Sequence, residues 1–184
     1  MPTVVANALL SLTPDSSVPV RGSDRVGVAS PMFNEAAGAE AALASILTQN
    51  EQVDELAVSV NGGTDDTATV VRATLVKHGF TKVYGAPAPD FPGSFERWYR
   101  DGGPAVVVLE HSVPISKADS INTLIESGYL TSERVLVVDG DTIFAQDFVA
   151  HLKDEFYRLK REKVDGRWRY VIEDSALQSG AVMS

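Results

Sequence analysis

The sequence contains no cysteine, which removes disulfides and thiolate ligands and excludes zinc held through sulfur. The same absence fits a cytoplasmic protein. Basic side chains are scarce. Sixteen Lys and Arg against 25 Asp and Glu leave a formal charge of -9, and neutralising a phosphate backbone needs clustered cations, so a nucleic-acid partner is excluded. An acidic protein can still hold a phosphorylated small molecule through a metal ion, a helix N-terminus or a few placed cations. Long apolar runs are missing too. The first, residues 4–12, is too short to span a bilayer and has no positive residue before Arg21, so neither a signal peptide nor a membrane span is expected. The three histidines, His78, His111 and His151, lack metal-ligand spacing.

What is present is enough for one domain: 184 residues, 44% of them hydrophobic. Residues 1–24 mix Pro, Gly, Ser and Thr with little periodicity and read as a flexible leader, with the domain proper running from 25 to 184. From there short apolar runs alternate with helical patterns: strands at 26–30, 55–60, 105–109 and 134–138, helices at 35–49, 65–78, 117–127 and 146–162. Runs such as Val106-Val107-Val108-Leu109 and Val135-Leu136-Val137-Val138 are apolar at every position, as in central parallel strands covered on both faces. The class is α/β, and ligands of such sheets sit at the carboxyl ends of the strands. Between residues 85 and 104 an aromatic-bearing stretch reads as a surface excursion, with a lid or acceptor-side platform as the alternative.

Four strand ends carry unusual chemistry. The strongest is Asp139-Gly140-Asp141, two carboxylates one residue apart closing an apolar strand. At about 4 Å a carboxylate and a phosphate repel by roughly 4 kcal/mol at an effective dielectric of 20, so these groups can face a diphosphate only across a cation, and hard oxygens suit Mg²⁺ or Mn²⁺. A plain Asp-Gly turn that caps the next helix is the alternative. Pro31-Met32-Phe33-Asn34-Glu35 follows the first strand, and Asn34 there reads most simply as a helix N-cap. Asn61-Gly62-Gly63-Thr64-Asp65-Asp66-Thr67 is a glycine-rich turn able to bring backbone N–H groups to a ligand, or else a tight βα loop. Lys117 opens a helix, where a cation opposes the macrodipole; an anionic ligand or simple solvation would each account for it.

Taken in order, Pro31-x-x-Asn34-Glu35, Asn61-Gly62-Gly63-Thr64-Asp65-Asp66-Thr67, Lys117-Ala118-x-x-x-Asn122 and Asp139-Gly140-Asp141 resemble the family 2 glycosyltransferases of GT-A fold. The resemblance covers roughly residues 26–182, the donor-binding half of that catalytic domain. Its Lys-Ala-x-x-x-Asn element looks most like the branch of cellulose, hyaluronan and chitin synthases. The resemblance implies a Rossmann-like, mostly parallel sheet with helices on both faces, lacking the acceptor half. It implies inverting transfer from a nucleoside diphosphate sugar, a UDP-sugar by default, to an acceptor hydroxyl of a glycan or lipid. By the same analogy Pro31, Asn34 and Glu35 border the nucleoside, Lys117 contacts the diphosphate, Asp139 faces ribose or metal, and Asp141 coordinates Mn²⁺ or Mg²⁺.

The match departs in two places. The family carries acidic residues before the glycine of the second junction, one of them reading the base; Asn61 stands there and can still donate to and accept from a base edge. The family's general base and its Gln-x-x-Arg-Trp element lie beyond the donor half, and Glu173 and Asp174 are weak substitutes that come soon after Asp141. Two rival classes therefore stay open, a non-catalytic nucleotide-sugar-binding fragment and a metal-dependent sugar nucleotidyltransferase. A longer parent protein associated with a membrane is compatible with all of them.

Overall fold

The apolar runs form parallel strands, most of them with both faces covered. The computed structural model describes residues 25–89, 91–126, 128–132, 134–155, 157–164 and 167–174; the expected leader, 1–24, lies outside them. β1 (Val26–Met32), β2 (Glu55–Asn61), β5 (Ala105–His111) and β6 (Arg134–Val137) run parallel. With β3 (Thr81–Pro87) and β4 (Gly93–Tyr99) they make a six-stranded sheet in the order β3-β4-β5-β2-β1-β6. β4 alone runs against its neighbours.

Period-two alternation divides the side chains between two cores. Leu56, Val58 and Val60 of β2 join Val106 and Val108 of β5 beneath α1 (Ala39–Leu47) and α2 (Thr67–Lys77), through Leu43, Ile46, Leu47, Val71 and Leu75. Ala57 and Leu109 point the other way, to Leu124 of α3 (Lys117–Glu126). The connection β1–α1–β2 steps along the sheet in one direction, while β5–α3–β6 returns past β2 and β1 in the other. Crossovers of one hand that travel in opposite directions land on opposite faces, which accounts for α3 packing on the face opposite α1 and α2. The strand order reverses between β1 and β6, and this is where such sheets open a ligand crevice.

The stretch from 85 to 104 holds the end of β3 and all of β4, and so belongs to the sheet and is not a surface excursion. β4 alternates as a strand should: Phe95 packs toward Tyr129 with centroids 5.4 Å apart, while Trp98 joins the opposite core. Its charged residues hide the pattern. Glu96 is buried, and it is neutralised by Arg72 Nε at 3.2 Å, by Lys82 Nζ at 3.3 Å and by the Trp98 indole N–H at 3.0 Å. β6 also differs from expectation, since it ends the sheet order and Val137 is 44% exposed. An apolar run therefore reports neither two strand neighbours nor full burial.

The helix expected at 146–162 is shorter. α4 spans Phe148–Glu155 and is followed by β7 (Tyr157–Val164) and β8 (Arg167–Asp174), an antiparallel hairpin in register from Tyr157↔Asp174 to Val164↔Arg167. Asp-Gly between two alternating runs is a strong hairpin signal, and here it outweighs the helix propensity of the Lys, Arg and Glu residues around it. The hairpin belongs to a compact unit separate from the one that holds the sheet. Among the described residues no helix is long and apolar enough to cross a membrane.

Candidate functional site

The carboxyl ends of β1, β2, β5 and β6 and the segments that follow them hold every predicted site residue except Glu173 and Asp174. Pro31 lies within β1, buried and paired with Ser59 of β2. Proline lacks an N–H, and its neighbour on the other side is already leaving: the β1–β6 ladder ends at Ala29↔Val137, with Val138 N donating to Ala29 O at 2.9 Å. No ladder bond is lost at Pro31, and the divergence opens the crevice.

Asn34 is not a helix cap. α1 begins five residues after it, behind Gly38, while Asn34 takes a left-handed conformation with φ 56°. Its Oδ1 accepts from Thr64 N at 2.8 Å, tying the β1 loop to the β2 loop. The two loops are joined again where Glu35 N donates to Thr67 Oγ1 (2.8 Å) and Ala36 N to Asp65 Oδ2 (3.0 Å). The Thr67 hydroxyl and the Ala36 N–H hold the Asp65 carboxyl below its ordinary value. Asp65 and Thr67 thus organise the two loops, where the sequence shows only a glycine-rich turn; their Asp-x-Thr spacing, typical of a side-chain-closed turn, is the signal for it.

Asp139 and Asp141 follow β6 in a tight turn closed by Thr142 N to Asp139 O at 3.1 Å. The turn is therefore present, and so is the cluster. A Cβ on Gly140 would meet Met32 Cγ at 2.8 Å and Glu35 Cγ at 3.0 Å, so the absence of a side chain brings the aspartates against the β1 loop. Asp141 packs beside Gly38, where an added Cβ would lie 3.2 Å from the Asp141 Cβ. Burial, then the charges of Asp141, Asp139 and Asp65, push the Glu35 carboxyl above its ordinary value. Lys117 Nζ bonds to Asp139 Oδ1, and both side chains are 57% exposed.

The structure therefore brings Glu35, Lys117, Asp139 and Asp141 to one crevice. Asn61 is beside it but occupied: its Nδ2 donates to Ile115 O and its Oδ1 accepts from Ile115 N at 2.7 Å, in a side chain only 5% exposed. Glu173 and Asp174 end β8 in the hairpin unit, opposite Arg158 and Tyr157 in register.

Donor chemistry decides whether a divalent cation suits this crevice. Asp139 and Asp141 offer hard oxygens beside Glu35, whose carboxyl is raised by burial first and then by the Asp141, Asp139 and Asp65 charges. Among the described residues no group of three or more His, Cys, Asp or Glu is assembled to hold a metal ion. The residues fit a cation held by one or two carboxylates and completed by substrate phosphates and water, not an all-protein cage.

No protein-family model matches the sequence, and no curated protein is similar to it. Solved structures are. Mannosyltransferase PcManGT from Pyrobaculum calidifontis, in complex with GDP-Man and Mn²⁺, superposes with a TM-score of 0.53 and 26% identity over 78% of this chain and 34% of its own. TarS 1–349 from S. aureus superposes with a TM-score of 0.50 and 18% identity over 78% of this chain and 37% of its own. The chain spans about a third of the length of these structures. Over the shared part it has the α/β fold of GT-A glycosyltransferase structures, built on a mixed, mostly parallel six-stranded sheet.

Proposed function

We propose that this chain is the donor-binding part of an inverting glycosyltransferase, holding a nucleoside diphosphate sugar with Mn²⁺ or Mg²⁺ for transfer to an acceptor hydroxyl. The observation that carries this reading is the bond of Lys117 to Asp139, with Asp141 and Glu35 beside it, where the strand order reverses. The Mn²⁺ and GDP-Man bound to PcManGT support it. Asp141 and Asp139 would hold the metal, and a bound cation would supply Lewis-acid stabilisation of the departing diphosphate. Lys117 exchanges Asp139 for phosphate oxygens as a point charge. Pro31, Asn34 and Glu35 border the nucleoside, with Asn34 fixing the wall through Thr64. Asn61 stands behind the site and holds the segment before α3 through Ile115. The donor base is open between guanine, as in PcManGT, and the uracil implied by the family resemblance.

Titration calorimetry with GDP-mannose and UDP-sugars, with and without Mn²⁺, tests the reading. Binding is expected to need the metal and to weaken about ten-fold or more in Asp141→Ala, equivalent to ~1.4 kcal/mol. Metal-independent binding unchanged by that substitution rejects it. Transfer further needs a base within about 3 Å of the acceptor hydroxyl. Glu173 and Asp174 are assigned to that role only if Glu173→Gln or Asp174→Asn abolishes transfer while donor affinity stays the same.

A further inference from the structure

On the side of the sheet facing α3, β2 changes character toward its ligand end. Ala57 is followed two residues on by Ser59 and then by Asn61, all buried. β5 does the same, from Leu109 to His111. Buried polar groups are costly unless paired, and the partners of this seam lie at the start of α3. Asn61 grips the backbone of Ile115 through both N–H and C=O. Ser120 Oγ donates to Ser59 Oγ at 2.7 Å, and Ser59 Oγ lies 3.0 Å from His111 Nε2. Between these anchors Ser116 caps the helix: Asp119 N donates to Ser116 Oγ at 3.0 Å and Ser116 Oγ donates back to Asp119 Oδ2 at 2.7 Å. Lys117 is the first residue of α3 and stands between Ile115 and Ser120.

We propose that Asn61 is a positioning residue and not a reader of the base: with the Ser59–Ser120 contact as second anchor, it fixes the start of α3 and hence the point from which Lys117 reaches the diphosphate. This rests on the donor site proposed above. Asn61 has two of its amide's hydrogen-bonding sites committed to Ile115 across 54 residues of sequence, so a base edge would have to compete with the backbone. The lysine's own side chain is exposed and long. Its reach is defined only if its backbone is held.

Two measurements test the inference. Without ligand, hydrogen exchange in Asn61→Ala is expected to quicken at least ten-fold over residues 112–120 while residues 26–32 and 39–47 keep wild-type rates. With Mn²⁺, Asn61→Ala is expected to weaken inorganic pyrophosphate, GDP-mannose and UDP-sugars by one common factor, three- to ten-fold. Lys117→Ala does the same, and the double variant binds no more weakly than Lys117→Ala alone. Ser120→Ala, which removes one hydroxyl, repeats both effects at two- to three-fold and carries the test if Asn61→Ala does not fold. Unchanged exchange over 112–120, or unchanged pyrophosphate binding with an altered GDP-to-UDP preference, overturns the inference. A wild-type protein that binds none of the three ligands instead rejects the donor site itself.

Discussion

Removing the charge of Glu55 is expected to cost the fold about 3 kcal/mol at neutral pH. Glu55 opens β2 at the end of the sheet away from the site and is only 10% exposed in its side chain. Burial alone would raise its carboxyl. The hydroxyls of Thr131 and Ser132, then their backbone N–H groups, outweigh that and bring it down to about 2. The contacts are 2.6 Å and 2.8 Å to Thr131, 2.7 Å and 2.8 Å to Ser132, with Arg25 Nη2 at 2.7 Å. From the ordinary 4.5 to about 2, at 1.36 kcal/mol per unit, gives about 3 kcal/mol. The folded value is the depressed one, so this stability is complete above pH 4.5 and is lost as the pH falls through about 2. Integrating over that window leaves about 1.5 kcal/mol at pH 3. In Glu55→Gln an amide N–H must face Arg25 or a cluster of donors, so the variant cannot recover the arrangement. Urea unfolding of both proteins at pH 7 and pH 3 should give a difference that shrinks by about half. An equal loss at both pH values, or less than about 1 kcal/mol at pH 7, would refute a charge-based origin.

Three further outcomes follow from the same geometry. Gly63→Ala places a Cβ 2.5 Å from Asn34 Oδ1 and should destabilise by about 1–3 kcal/mol; in an Asn34→Ala background the cost should fall, a coupling that a double-mutant cycle reads directly. Ser30→Ala removes a buried hydroxyl that has no hydrogen-bond partner among the described residues and should raise stability by about 1 kcal/mol, so a lower Tm for the variant would contradict the reasoning. Burial lowers the pKa of His111, and burial also leads the lowering at His78. The unfolded chain therefore binds more protons, and stability should decline as pH falls below the ordinary value of 6.5; His111→Gln should flatten that decline in unfolding curves taken between pH 7 and 5.

Much of the sheet was legible because its signals are local. Residues 26–30, 55–60 and 105–109 read as strands from composition alone, since a strand buried on both faces has few polar positions to interrupt it. β4 was not legible. Glu96 and Arg97 look like surface residues until Arg72, 24 positions earlier, supplies the charge that lets Glu96 be buried. The hairpin β7–β8 was legible in principle, through Asp165-Gly166 between alternating runs, but the charged residues around it favour a helix when weighed singly.

The candidate site divides in the same way. Sequence by itself determined that Asp139-Gly140-Asp141, Lys117, the Pro31 to Glu35 segment and the glycine-rich turn each stand at the ligand-facing end of a parallel strand, because strand period and connection order follow from neighbouring residues. Tertiary structure alone decided what those residues do there. It turned Asn34 from a helix cap into a bond between loops 30 residues apart, joined Asn61 to Ile115 across 54 residues, and set Lys117 on Asp139. It also pressed Gly140 against Glu35. A side chain's hydrogen-bonding capacity is written in its identity, but which donor or acceptor meets it depends on how far the chain has folded back, and no local pattern encodes that distance.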